Sequence, residues 1–430
     1  MLLIFLLVLP PQGYHTGWPM HYPNAMVSTG LTFADITGDG HCEVITQLAY
    51  PGYTCTLYVY NDNGNLLWSF GTDTIMWLPA FGDLDNDLID ELVVGCTKGL
   101  YAFDGNGQVM SGFPIYYPGC WWMTCAIADI DNDTSVEIIY TVEWHSDSGM
   151  IFVSDRFGQP LSGWPITTPF YGFTQPAVAD IDNDGYKEVI INTWLDSLRC
   201  YRYDGSQQPG FPVPCLLTQD CGPSEIIVCD LDHDNYLEIL VGSCTPWADT
   251  GCLFIYRYNG IPQPNWPQYF SNRIVFNPEQ YHFAVGDLNN DQEIEILITG
   301  TGRVMRILDR FGNYLPGSGQ YYSRDALNPV IANIDYTPEK EFIVQSSWSR
   351  TTAFCYNGEL CMGWPIQNQG GINWYNSITV DDIDNDGMLE LGVLAGWSGK
   401  TLHIWDIYGD PSEIEWGCPY FDIQRTCYYR

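Results

Sequence analysis

Apolar and polar positions along the chain alternate in short runs, and none of them sustains a helical period. The runs are rich in β-branched and aromatic residues: EVITQLAY from Glu43, ELVVGC from Glu91, EVIINTW from Glu188 and EILITG from Glu295. Each follows a polar, acidic stretch. Before that stretch stands another short apolar segment, such as FTQPAVAD or YHFAVGD. Further on come alternating aromatic runs broken by a Gly-containing turn, as in LYVYNDNGNLLWSF, IFVSDRFGQPLSGWPI and TAFCYNGELCMGWPI. Asn-Gly and Asp-Gly supply the positive φ that tight hairpins need. The order predicted for each unit is therefore strand, acidic loop, strand, hairpin, and two closing strands.

The unit repeats. Its acidic loop begins at residues 35, 83, 129, 180, 230, 287, 333 and 382, with steps of 48, 46, 51, 50, 57, 46 and 49 residues. Four short strands in a unit of this length make one propeller blade, and such blades hide their apolar faces only by stacking on both neighbours. The fold predicted is all-β: a β-propeller of eight four-stranded antiparallel blades, with seven as the alternative. It fills residues 13–430 as a single domain. Gly17-Trp18-Pro19 repeats the blade-ending phrase of Gly163-Trp164-Pro165 and Gly363-Trp364-Pro365, yet no acidic loop precedes it. The N-terminal strand is thus expected to complete the last blade and close the ring. EWGCPYFDIQRTCYY is expected to lie over that seam.

Numbered from its first acid, the fourth loop places Asp180, Asp182 and Asp184 at positions 1, 3 and 5, Gly185 at 6, Tyr186 at 7 and Glu188 at 9. A curled loop turns three alternate side chains inward, glycine accepts the left-handed backbone at position 6, and the glutamate closes the cage. Hard divalent cations take six to eight oxygens, and calcium tolerates irregular cages better than magnesium. An EF-hand is excluded. It needs an acid at position 12, where Ile191 and Val393 stand, and helices on both sides.

The other copies vary around this pattern. Asp382, Asp384, Asp386 and Glu390 repeat it with Gly387. Asp83, Asp85, Asp87 and Glu91 carry Leu88 at position 6. Asp129, Asp131, Asp133 and Glu137 carry Thr134. Asp230, Asp232, Asp234 and Glu238 carry Asn235. Asp287, Asn289, Asp291 and Glu295 lose one charge. Asp35, Asp39 and Glu43 have the weaker Thr37 at position 3. The seventh loop, Asn333, Asp335, Thr337 and Glu341 with Pro338 at position 6, is expected to be weak or empty, since proline cannot take a positive φ.

The period, the D-x-D-x-D-G-x-x-E loop between strands, and Phe81-Gly82-Asp83 resemble FG-GAP/VCBS-type repeats, which build the propeller of integrin α-subunits and of many secreted bacterial proteins. The resemblance spans nearly the whole chain. It implies Ca2+ held by the side chains at positions 1, 3, 5 and 9 and by the carbonyl at position 7. That carbonyl belongs to His41, Ile89, Ser135, Tyr186, Tyr236, Glu293 or Met388 in the successive loops, giving six to seven structural ions.

Charge agrees with a cationic partner. The chain has 52 acidic and 16 basic residues, a formal net of −36, and 31 of the acids lie in the eight loops. Such a polyanion disfavours nucleic acid and anionic lipid. Residues 1–12 begin with MLLIFLLVLP, too short to span a bilayer and similar to a signal-peptide core. A secreted or cell-surface monomer without membrane insertion is expected. None of the fifteen cysteines forms a CxxC pair. Cys244 with Cys252, and Cys355 with Cys361, flank hairpins and are candidate disulfides in an oxidising compartment.

No catalytic motif is present, and no histidine stands in a triad context. Trp121-Trp122, Trp144, Trp247 and Trp374-Tyr375 break the blade phase and are candidates for a binding face. The function expected is a recognition or adhesion module for glycan or extracellular protein. A polysaccharide-active enzyme resembling rhamnogalacturonan lyases, whose propellers carry similar repeats, is the alternative, and a scaffold in a larger surface assembly is a third reading.

Overall fold

A computed structural model describes residues 13–418 and 429, apart from 53, 75, 145–147, 169–173, 194–196, 216–224, 245–249, 272–282, 300–303, 320–325, 336, 347–349, 369–377 and 397–398. Residues 1–12, Trp247, His282, Trp374 and Tyr375 thus lie outside the described residues, and with them the N-terminal apolar segment.

The strands form eight antiparallel sheets arranged as a propeller ring. Blade 1 runs from the axis outward as Val27–Ala34, Glu43–Tyr50, Thr54–Tyr60 and Leu66–Thr72. Blade 4 is Ala177–Ala179, Glu188–Asn192, Ser197–Tyr201 and Val213–Pro214. Among the described residues blade 6 has three strands, Phe283–Gly286, Glu295–Ile298 and Arg306–Leu308. Every residue of Glu188–Asn192 is buried because both faces of the strand meet a neighbouring blade. This explains why the second strand of each blade reads as a continuous apolar run. The cores lie between blades: Ala126, Ile139 and Val153 of blade 3 pack with Val178, Val189 and Ile191 of blade 4.

The chain closes on itself at blade 8. Its strands Ile378–Asp381, Leu389–Ala395 and Lys400–Ile407 are completed on the outer edge by Gly13–Tyr14 and Met20–Tyr22. Gly13 pairs with Asp406 and Met20 with Leu402. The Trp-Pro phrases act as staples between blades. Trp164 Nε1 donates to the Tyr203 carbonyl in blade 4 at 2.9 Å, and Trp266 to that of Arg310 in blade 6 at 2.9 Å. Trp18 does the same across the closure, donating to the Asp62 carbonyl of blade 1 at 2.7 Å.

The C-terminal segment departs from expectation. Ile414–Trp416 does not cover the seam. It pairs with Ala326–Ala332, the innermost strand of blade 7, on the side facing the axis. The Gly417 carbonyl accepts from Val380 of blade 8, and Tyr429 N donates to Val228 of blade 5. The segment therefore occupies the hub. Apolar Trp416 and Cys418 are buried there, which the bare sequence did not distinguish from burial at an outer edge.

Of the two cysteine pairs, Ser243 faces Cys252 and Cys244 faces Gly251 in the register, so Cys244 and Cys252 are not cross-strand partners. Cys355 and Cys361 are free thiols with sulfurs 3.1 Å apart.

Candidate metal centres

Each acidic loop links the first strand of its blade to the second, so all eight lie on one face of the ring. A shared hydrogen-bond plan folds them. In loop 4, Asp180 accepts from Asp184 N at 3.0 Å and from Gly185 N at 2.9 Å. Asp184 Oδ1 accepts from Tyr186 N at 3.0 Å, and Glu188 Oε2 from Ile181 N at 3.1 Å. The same four contacts recur in loops 2, 3, 5, 6 and 8. Ile89, Ser135, Tyr236, Glu293 and Met388 hold the place of Tyr186 in them, as does His41 in loop 1, where Asp39 Oδ1 accepts its amide proton. The plan uses up backbone N–H groups and leaves other carboxylate oxygens pointing inward.

Position 6 is left-handed as its glycines imply: φ is 90° at Gly185 and 86° at Gly387, but also 72° at Leu88, 77° at Thr134 and 71° at Gln292. Position 4 is left-handed as well, which the sequence reading missed: Asn86, Asn132, Asn183, His233, Asn290 and Asn385 all lie between 57° and 65°. The recurrent asparagine was the available signal, because its side chain tolerates this region.

The inward oxygens test the fit to a cation. One ligand atom each from Asp83, Asp85 and Glu91 lie within 4.8 Å of one another, as do those of Asp129, Asp131 and Glu137, and of Asp180, Asp182 and Glu188. The position-3 atoms Asp131 Oδ1, Asp182 Oδ1, Asp232 Oδ1 and Asn289 Oδ1 are buried with no hydrogen-bond partner, as is Glu188 Oε1. Buried oxygens without donors are costly, and a hard cation satisfies several at once. Burial, with the neighbouring aspartates adding to it, pushes the position-9 carboxyls up: Glu43, Glu91 and Glu137 to about 7, Glu188, Glu238 and Glu295 to about 8, and Glu390 to about 9.

Two loops differ. In loop 1, Thr37 Oγ1 donates to Glu43 Oε1 at 3.2 Å. In loop 7, Asn333 is engaged elsewhere: its Nδ2 donates to Glu413 at 2.7 Å, and its backbone brackets the Pro411–Glu413 turn. This loop anchors the C-terminal segment on its way to the hub.

The cages are also covered from outside by the third-strand hairpin. Two of its positions look onto the cage. One stands opposite the position-9 glutamate, as Arg257 faces Glu238 and Asp406 faces Glu390. The other lies beyond the turn: Gln208 Nε2 donates to Asp182 Oδ2 at 2.8 Å, and Gln263 Nε2 to Asp232 Oδ2 at 3.1 Å. In blade 4 the first position is Arg202, whose guanidinium sits 2.5 Å from Asp184 Oδ2. In blade 8 the pair is Asp406 and His15, with His15 Nδ1 2.7 Å from Asp406 Oδ1 and both beside Glu390. The sequence did not reveal this pairing of residues nearly four hundred positions apart. Neighbouring loops are joined by backbone hydrogen bonds, Lys187 N to Ile130 O and Leu237 N to Ile181 O, and across the closure by Cys42 N to Ile383 O.

Comparison with known families gives a match to the FG-GAP-like repeat over residues 180–241, which take in loops 4 and 5. Residues 180–241 are similar to an FG-GAP-like repeat. No curated protein matches the chain significantly in sequence. Solved structures similar to this propeller include the Vibrio cholerae biofilm matrix protein Bap1, at 12% identity and TM-score 0.64 over 94% of this chain and 92% of that one. A rhamnogalacturonan lyase of Bacillus licheniformis matches at 15% identity and TM-score 0.57, over 94% and 74%. The Dos1 propeller matches at 12% identity and TM-score 0.53, over 93% and 96%. At these identities the likeness carries the fold and nothing finer.

Proposed function

We propose that this chain is a calcium-stabilised propeller, secreted or displayed at a cell surface, that serves as a recognition module for a glycan or an extracellular protein. The unpartnered inward oxygens of loops 3 to 6 support the ion, and the irregular carboxylate cage favours Ca2+ over Mg2+. Loops 1 to 6 and 8 supply the six to seven sites, and loop 7 is committed to the C-terminal turn.

A patch of tryptophans on the opposite face supports recognition. Cys120–Trp122 pairs with the far end of Glu137–Trp144, which brings Trp122 and Trp144 to the same end of blade 3, remote from the acidic loops. Trp77 packs on Trp122 with ring centroids 4.9 Å apart; Trp121, next in the chain to Trp122, is 55% exposed, and Tyr116 at the end of Ile115–Tyr116 in blade 2 is 63% exposed. Exposed aromatic rings suit stacking on a sugar or anchoring of a protein side chain. Among the described residues no helix is long and apolar enough to cross a membrane.

A glycan array and a pull-down, each run with Ca2+ and with chelator, test the reading. Calcium-dependent binding that Trp121→Ala weakens is the expected result. Binding untouched by both Trp121→Ala and Trp77→Ala places recognition elsewhere. Release of unsaturated ends from a polyuronate substrate in the same panel would instead establish the lyase alternative.

A further inference from the structure

Blade 7 keeps only part of the oxygen set, with carboxylates at positions 3 and 9, Asp335 and Glu341. Asn333 holds Glu413, and Thr337 N turns to Asp335 Oδ1 at 2.8 Å. Its position-9 glutamate nevertheless remains: Glu341 is buried and caps Ile334 N at 2.9 Å through Oε2. The two hairpin positions that cover this glutamate are both cysteines. Phe342 pairs with Phe354, which brings Cys355 opposite Glu341. Cys361 N donates to Ala353 O at 3.0 Å, as Gln208 N does to Cys200 O and Gln263 N to Ile255 O. Cys361 thus takes the position from which those glutamines reach their cages. One ligand atom each of Glu341, Cys355 and Cys361 lie within 4.8 Å of one another, with Cys361 buried and Cys355 half-buried.

We propose that blade 7 carries a thiolate metal centre, Cys355, Cys361 and Glu341, for a soft or borderline divalent cation of the Zn2+ class. Two sulfurs and one carboxylate are a zinc donor set, and calcium, which takes oxygen only, is excluded from it. Three protein ligands leave a fourth position for water. Each thiol gives up its proton on binding. The sequence change is consistent in chemistry: where the hard-ion ligands at positions 1 and 5 disappear, sulfur ligands appear above the retained glutamate. The ring would then hold two classes of ion, calcium in the regular blades and a softer ion in the blade that anchors the C-terminal segment.

The test uses the full chain, reduced and saturated with Ca2+, titrated with Co2+ as a spectroscopic probe for Zn2+. One equivalent of Co2+ with sulfur-to-cobalt charge-transfer absorption, displaced by Zn2+, is expected. In the Cys355→Ser/Cys361→Ser double variant this absorption disappears while the calcium-dependent rise in melting temperature stays. Glu341→Gln keeps an acceptor for Ile334 N and lowers Co2+ affinity roughly tenfold or more. Should the double variant not fold, Cys355→Ser alone serves, since that residue is the less buried of the two. The proposal is overturned by absence of thiolate absorption in the reduced wild type, by undiminished absorption in the serine variant, or by a Cys355–Cys361 disulfide that reductant does not open. Because calcium-dependent melting is read alongside, failure here is distinct from failure of the calcium reading.

Discussion

At the residue scale, the position-9 glutamate has two separable tasks. Glu188 Oε2 caps a buried backbone N–H, while Oε1 faces the cage without a donor. Glu188→Ala should cost about 1–3 kcal/mol even without metal, because the Ile181 N–H is orphaned. Glu188→Gln keeps the acceptor, so its metal-free melting temperature should stay near wild type while the contribution of this loop to calcium stabilisation is lost. Leu88 is 92% exposed and held at φ 72°, a region that costs a side chain roughly 1–2 kcal/mol. Leu88→Gly should therefore stabilise the protein by about 1 kcal/mol in chemical denaturation. Arg202→Ala should strengthen calcium binding in loop 4, read by terbium luminescence, since the guanidinium beside Asp184 is a built-in competitor. The inward-turning positions of the acidic loops were legible in the sequence because alternation of acids fixes which side chains share a side. Arg202 and His15 were not, because a hairpin register and a ring closure bring them to the cages.

At the scale of the element, the blade hairpin is the unit that fixes neighbours. Gly163 stands at φ 93°, and a Cβ there would meet the Asp204 carbonyl at 1.9 Å. The close approach lets Trp164 reach across to blade 4. Gly163→Ala should destabilise by about 2 kcal/mol or more, combining the left-handed penalty with the clash, and the loss should appear in a denaturant midpoint. Strand identity and hairpin turns were readable from alternation and Asn-Gly chemistry. The destination of the C-terminal strand was not, since a short apolar segment carries no mark of which exposed strand edge it will join.

At the scale of the whole molecule, the ring of acids ties stability to pH and, on the proposed calcium reading, to metal. The position-9 carboxyls are raised in the folded chain, chiefly by burial, from the usual carboxylate range to about 7–9. The folded state therefore binds more protons than the unfolded state between roughly pH 4.5 and 9. Without metal, their contribution is fully present below that window and is lost as pH rises through it, so the melting temperature in chelator should fall from pH 5 to pH 8. With saturating Ca2+ the trend should reverse, because ion binding needs the ionised carboxylates. The backbone links between adjacent loops predict that ions load cooperatively around the ring. Blade number and closure followed from a period kept along the chain and from a Trp-Pro phrase lacking its own loop. The hub was the part that periodicity left blank. Filled there by a length of its own polypeptide against blades 6, 7 and 8, the protein is a stoppered disc more than a washer. Beside blade 7 the first strand therefore has no open edge toward the axis for another chain to join.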